Sequence, residues 1–126
     1  MEQLERLGPR LRIIIDDSVD QGGGGHGGPT SAESVAAQRL AVSAGAANVR
    51  RTHFSGLQHH KVMIARRAGQ PYKVLAGSTN FSFRGIYIQA NNALVFTDPA
   101  VARLFGEVFE ASFSQPKSFS ASLLAA

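Results

Sequence analysis

The chain contains no cysteine. Disulfides and thiolate zinc sites are therefore excluded, and the redox compartment is left open. It has no tryptophan and two tyrosines, and its eight phenylalanines form no stripe beside basic residues. An aromatic platform for stacking bases is not evident. No apolar run approaches the length of a membrane-crossing helix. Residues Met1 to Leu11 are charged and lack the apolar stretch of a secretory leader, so a cytoplasmic chain is the default expectation. There is no internal repeat. Six glycines surround His26 between residues 21 and 30. That run lacks both the G-x-x-x-x-G-K-S/T and the G-x-G-x-x-G context that would cradle a phosphate. It reads as a flexible loop, with His26 a solvated loop histidine.

What is present suits one small domain. The chain has 126 residues, 44% hydrophobic, with 13 basic and 9 acidic side chains and a net charge of +4. This excess favours anionic partners: nucleic acid, a phospholipid surface or phosphorylated metabolites. Leu11 to Ile15 is a β-branched run and predicts a buried strand. Asp16 and Asp17 follow it and read as strand-end residues rather than metal ligands. Thr30-Ser31-Ala32-Glu33 fits a capping box opening a helix that runs to about Ala44, with Gly45 as its stop. Further strands are expected at residues 48–54, 58–65, 72–76 and 92–96, with a hairpin-type turn at 68–71. Asp98-Pro99 predicts a helix start. Val101, Leu104, Phe105, Val108 and Phe109 then recur at helical spacing to about Phe113. The order β-α-β-β-β-β-α implies an α/β fold, a mixed sheet flanked by helices. The domain is expected over residues 10–113, with a loosely ordered tail over 114–126.

The chemistry concentrates in two short segments. Leu57 to Ile64 contains His59-His60-Lys61, and Val74 to Asn80 ends in Gly77-Ser78-Thr79-Asn80. On a strand, His59 and Lys61 would share one face, roughly 6–7 Å apart. Ser78 and Asn80 would do the same. One imidazole, one ammonium, one hydroxyl and one amide converging on a point suit a phosphate group. His60 then faces the other way and reads as structural.

These two segments resemble the signature of the phospholipase D superfamily, H-x-K followed by G-S-x-N. Asn91 to Pro99 resembles the superfamily's closing strand and helix start. The resemblance implies a phosphodiesterase that needs no metal and no cofactor. It implies His59 as the nucleophile, forming a phosphohistidine, and Lys61, Ser78 and Asn80 as phosphate ligands, with Gly77 permitting close backbone approach. Two departures stand out. The motif's aspartate falls on Arg66, which bears on local packing. The glutamate that orients the histidine in the superfamily falls on Asn91, whose amide oxygen can accept a hydrogen bond but carries no charge. The superfamily also uses two H-x-K histidines, and this chain has one. The resemblance therefore implies a homodimer sharing one site, or a missing second H-x-K half. The substrate class, phospholipid or nucleic acid, stays open. A third reading is a noncatalytic module that binds phosphate or nucleic acid.

Overall fold

The computed structural model describes residues 1–19, 25–54 and 59–125. The expectations for residues 20–24 and 55–58, including the start of the third strand at Gln58, lie outside the described residues. The chain forms two compact units, Met1–Gln58 and His59–Ala126.

In the first unit, α1 (Glu2–Glu5) and a 3-10 turn (Gly8–Arg10) precede β1 (Ile13–Asp16). Helix α2 (Ala32–Ala44) and a second 3-10 turn (Ala46–Asn48) lead to β2 (Val49–Thr52). The two strands are parallel, in register from Ile13↔Val49 to Asp16↔Thr52. Parallel neighbours need a crossover connection, and α2 supplies it. That helix buries Ala37, Leu40 and Ala44, with Leu40 at its centre. Gly45 ends it at φ 91°, a backbone angle that favours glycine.

The cap of α2 corrects the expected box by one residue. Ser31, not Thr30, is the N-cap, and its hydroxyl accepts from the Ser34 amide at 3.1 Å. Glu33 then falls in the first turn, where the helix dipole favours a carboxylate. It reaches back to His26 Nδ1 at 2.8 Å. His26 is an exposed loop histidine whose ring lies against the Glu33 carboxylate of α2. Asp16 and Asp17 do end their strand. Asp16 accepts from Ser18 Oγ at 2.6 Å and pairs with His53 Nδ1 at 2.9 Å, while Asp17 accepts from Arg51 at 2.6 Å. Partial burial opposes ionisation of Asp16, but the Ser18 and His53 contacts outweigh it and hold its carboxyl below the ordinary value.

The second unit contains β3 (Val62–Arg67), β4 (Gln70–Gly77), α3 (Phe83–Tyr87), β5 (Ala93–Phe96), α4 (Pro99–Ser114) and α5 (Pro116–Phe119). Its three strands form an antiparallel sheet of order β3-β4-β5. Val74 is fully buried at the centre of β4. The expected α/β class holds, with the described strands divided between this sheet and the parallel pair. Within the tail expected over residues 114–126, Pro116–Phe119 forms α5 and Leu123–Ala125 a 3-10 turn.

The β3–β4 hairpin closes on two residues, Ala68 at φ 48° and Gly69 at φ 79°. Both lie in the left-handed region, as a primed two-residue turn requires. Alanine pays about 1–2 kcal/mol there. Ala68→Asn is expected to stabilise the fold by about 1 kcal/mol. A raised urea midpoint at unchanged m-value checks this, and an unchanged midpoint counts against it. Just beyond the turn, the register slips between Ala65 and Arg66, opposite Pro71. Proline has no N–H to give, so a bulge is where a strand tolerates it.

Asp98 caps α4 through its carboxylate, 2.7 Å from the Ala100 amide, with Pro99 at the first helical position. The buried face of α4 corrects the expected stripe. Leu104 is exposed, Val101, Phe105, Val108 and Phe109 are half-buried, and the buried residues are Ala102, Gly106, Ser112 and Phe113. Small residues win because the helix lies close on the sheet. A Cβ at Gly106 would come within 2.7 Å of Pro71 Cγ.

Candidate active site

The second unit's topology brings the two chemistry-bearing segments together. Antiparallel pairing sets Val62 opposite Ala76, and Ala76 opposite Leu94. The start of β3, the end of β4 and the start of β5 therefore share one end of the sheet. Lys61 immediately precedes that row. Beyond it, the Ser78 amide donates to the Asn92 carbonyl at 3.0 Å and carries the β4–β5 ladder one step further.

The expected strand over 58–65 begins later than predicted. It starts at Val62, so His59 and Lys61 lie in the approach to β3 rather than alternating along it. Their side chains consequently differ in environment. His59 and His60 are both exposed. Among the described residues, the His59 imidazole has no hydrogen-bond partner. Lys61 is only 8% exposed, and its ammonium donates to the His59 carbonyl at 3.0 Å. Burial lowers the Lys61 pKa below 10.5. A part-buried ammonium held by one neutral acceptor keeps two N–H groups for an anion.

Ser78 is already engaged. Its hydroxyl donates to Asn91 Oδ1 at 3.2 Å and accepts from the Asn92 amide at 3.0 Å. Thr79 Oγ1 donates to the Asn92 carbonyl at 3.0 Å. The Asn91 amide nitrogen in turn donates to the Gly85 carbonyl at 2.9 Å. Asn91 thus ties the Ser78 turn to α3, and its bonds among the described residues go to Ser78 and Gly85, not to His59. The Asn80 side chain is exposed.

Two glycines permit this assembly. A Cβ at Gly77 would collide with the Asn92 carbonyl oxygen and lie 2.8 Å from Ala93 Cα. The close approach expected at Gly77 is therefore to the β5 backbone. A Cβ at Gly85 would collide with the Asn80 carbonyl oxygen, so α3 sits directly on Asn80. The sequence reading missed Gly85. Its signal was a lone glycine in the otherwise bulky stretch Phe83 to Tyr87, three residues after the Ser82 cap whose hydroxyl accepts its amide at 3.1 Å. Arg66, at the motif's aspartate position, pairs with Glu110 of α4 at 2.6 Å. A strand-to-helix ion pair is thus present at that position, with the cation on the strand.

Residues 1–113 match the family described as cardiolipin synthase, PLD-like domain. No curated protein and no solved structure matches the chain. With most of its length matched, the chain belongs to the cardiolipin synthase PLD-like domain family, within the phosphodiesterase-type phospholipase D superfamily.

Proposed function

We propose that the protein hydrolyses a phosphodiester through a phosphohistidine, with one site shared across a homodimer. The observation that carries this reading is the meeting of Lys61, Ser78 and Asn91 at one end of the three-stranded sheet, with His59 two residues from Lys61. A neutral imidazole nitrogen of His59 attacks phosphorus as the bond to the leaving oxygen breaks. That oxygen takes a proton from His59 of the second copy, which acts as general acid. Water then attacks the phosphohistidine and gives its proton to the now neutral second histidine. The P–N bond breaks and His59 is restored. Lys61 and Asn80 hold the non-bridging oxygens throughout. Ser78 joins them as a donor when its proton leaves Asn91. Rapid quenching with a labelled diester should trap one alkali-stable, acid-labile phosphoryl group on His59. Label elsewhere, or turnover without label, would overturn the mechanism.

The Lys61 environment adds a pH dependence. Its lowered pKa means the unfolded chain holds this proton more tightly than the folded one. Between the folded value and 10.5, stability from this group rises with pH, while the cation needed by the phosphate is lost. The alkaline limb of kcat/KM is therefore expected below pH 10.5, and Lys61→Arg should move it upward. An unmoved limb would remove Lys61 from the site.

One observation favours a second reading, an incomplete half that binds phosphate without turning it over. The Ser78 proton rests on Asn91 rather than facing outward. A monomer at assay concentration that binds a diester without cleaving it would promote that reading.

A further inference from the structure

One H-x-K per chain leaves the site one histidine short. If two His59 rings meet at one phosphate, a two-fold axis passes between them. The same surface of each copy then closes around that axis. A stable interface covers about 800 Å² of each partner, a disc of about 16 Å radius. The surface beside the site is therefore what a second copy must cover.

Helix α3 stands beside the site. Gly85 seats it on the Asn80 carbonyl, and the Asn91 amide links its Gly85 carbonyl to Ser78. Residues two positions before and after Gly85 project from the opposite side of the helix. These are Phe83 and Tyr87, 71% and 74% exposed, with their rings 5.2 Å apart. Ile86 and Ile88 are exposed next to them. Further on, Leu94 and Val95 of β5 are exposed as well. Adjacent strand residues point to opposite faces, so their joint exposure fits β5's place at the edge of the three-stranded sheet. Apolar side chains scattered singly are ordinary on a surface, whereas a group of them at one sheet end marks an interaction site. Among the described residues no helix is long and apolar enough to cross a membrane, so these side chains are not part of a helical span.

We propose that the face of α3 carrying Phe83, Ile86 and Tyr87 packs against a second copy of this chain and closes the shared site. The proposal rests on the shared-site reading and adds the surface that forms it. Two observations select this occupant. An identical chain supplies the histidine that the site lacks, and α3 is in contact with the turn that carries Ser78 and Asn80. Phenylalanine, tyrosine and arginine are the residue types that protein interfaces favour, and Arg84 is exposed on the same helix.

The chain has no cysteine, so Tyr87→Cys places one thiol on each copy. A short bismaleimide should link this variant into covalent dimers. Gln70→Cys is the control. Gln70 is exposed at the β3–β4 turn, about 23 Å along β4 from Gly77, and should link far less. Phe83→Ser combined with Tyr87→Ser should raise the dimer dissociation constant, measured by sedimentation, by at least about 100-fold. Activity of this variant on a soluble diester should fall with its dimer fraction and recover at high protein concentration, because His59 and Lys61 are untouched. Circular dichroism checks that it folds, and the Tyr87→Cys crosslink carries the test if it does not. Linking at Tyr87→Cys no better than at Gln70→Cys overturns the proposal. So does a folded double variant with the wild-type dissociation constant. If wild type is then still a dimer, the shared site stands and its interface lies elsewhere. A fully active wild-type monomer overturns the interface and the shared site together.

Discussion

Replacing His59 by alanine is expected to lower kcat on a phosphodiester by more than about 10³-fold, some 4 kcal/mol of barrier, without unfolding the protein. The chemical argument is that the imidazole lone pair forms the covalent bond, and alanine offers none. The structural argument concerns what the substitution leaves behind. His59 lies ahead of β3 and is exposed, so its ring contributes nothing to the core. The one bond it makes among the described residues is through its carbonyl, which accepts from Lys61, and alanine retains that carbonyl. The variant should therefore keep its unfolding midpoint and bind a diester with little change, since Lys61 stays in place. The covalent label should disappear with the activity. A variant that keeps more than about a tenth of the wild-type kcat, a barrier change under about 1.4 kcal/mol, would rule out His59 as the nucleophile.

Much of this site was legible before the structure, and the reasons are local. H-x-K and G-S-x-N each sit beside an apolar β-branched run, and strand pairing then carries the two runs to one sheet end. Asp98-Pro99 announced α4 because a carboxylate at the cap and a proline at the first position each satisfy a specific backbone need. The errors came where tertiary contact overrode pattern. Large apolar residues suggested the face of α4, yet Gly106 decides how close it lies to Pro71. Periodicity rewards bulk and does not register the absence of a side chain. The start of β3 was placed too early because the apolar and polar alternation continues through residues that do not pair. Asn91 was read toward the histidine by analogy, whereas its amide bridges Ser78 and Gly85. An asparagine both donates and accepts, so it can join two segments in a way a glutamate cannot. Nothing in the sequence distinguishes those two uses.

Titrating inactive His59→Ala protein into wild type is expected to reduce activity as the square of the wild-type fraction. The chain holds one H-x-K motif, and neither His26 nor His53 has a lysine two residues on. His26 pairs with Glu33 and His53 with Asp16, so both are occupied within the first unit. On the proposed mechanism the acid for the leaving group is the His59 of a second copy, and a positioned acid is worth about 10²–10⁴ in rate. A two-fold axis sets identical residues opposite each other, so every active site needs both histidines. After exchange at equal amounts of the two proteins, half of the dimers are mixed and lack one histidine. Activity should then fall to about one quarter of the all-wild-type value at the same total protein concentration, where independent sites would leave about one half. Dilution below the dimer dissociation constant should reduce specific activity in step with the dimer fraction measured by sedimentation. A linear titration, together with a monomer of full specific activity, would overturn the shared site. The leaving group would then need its acid from within one chain.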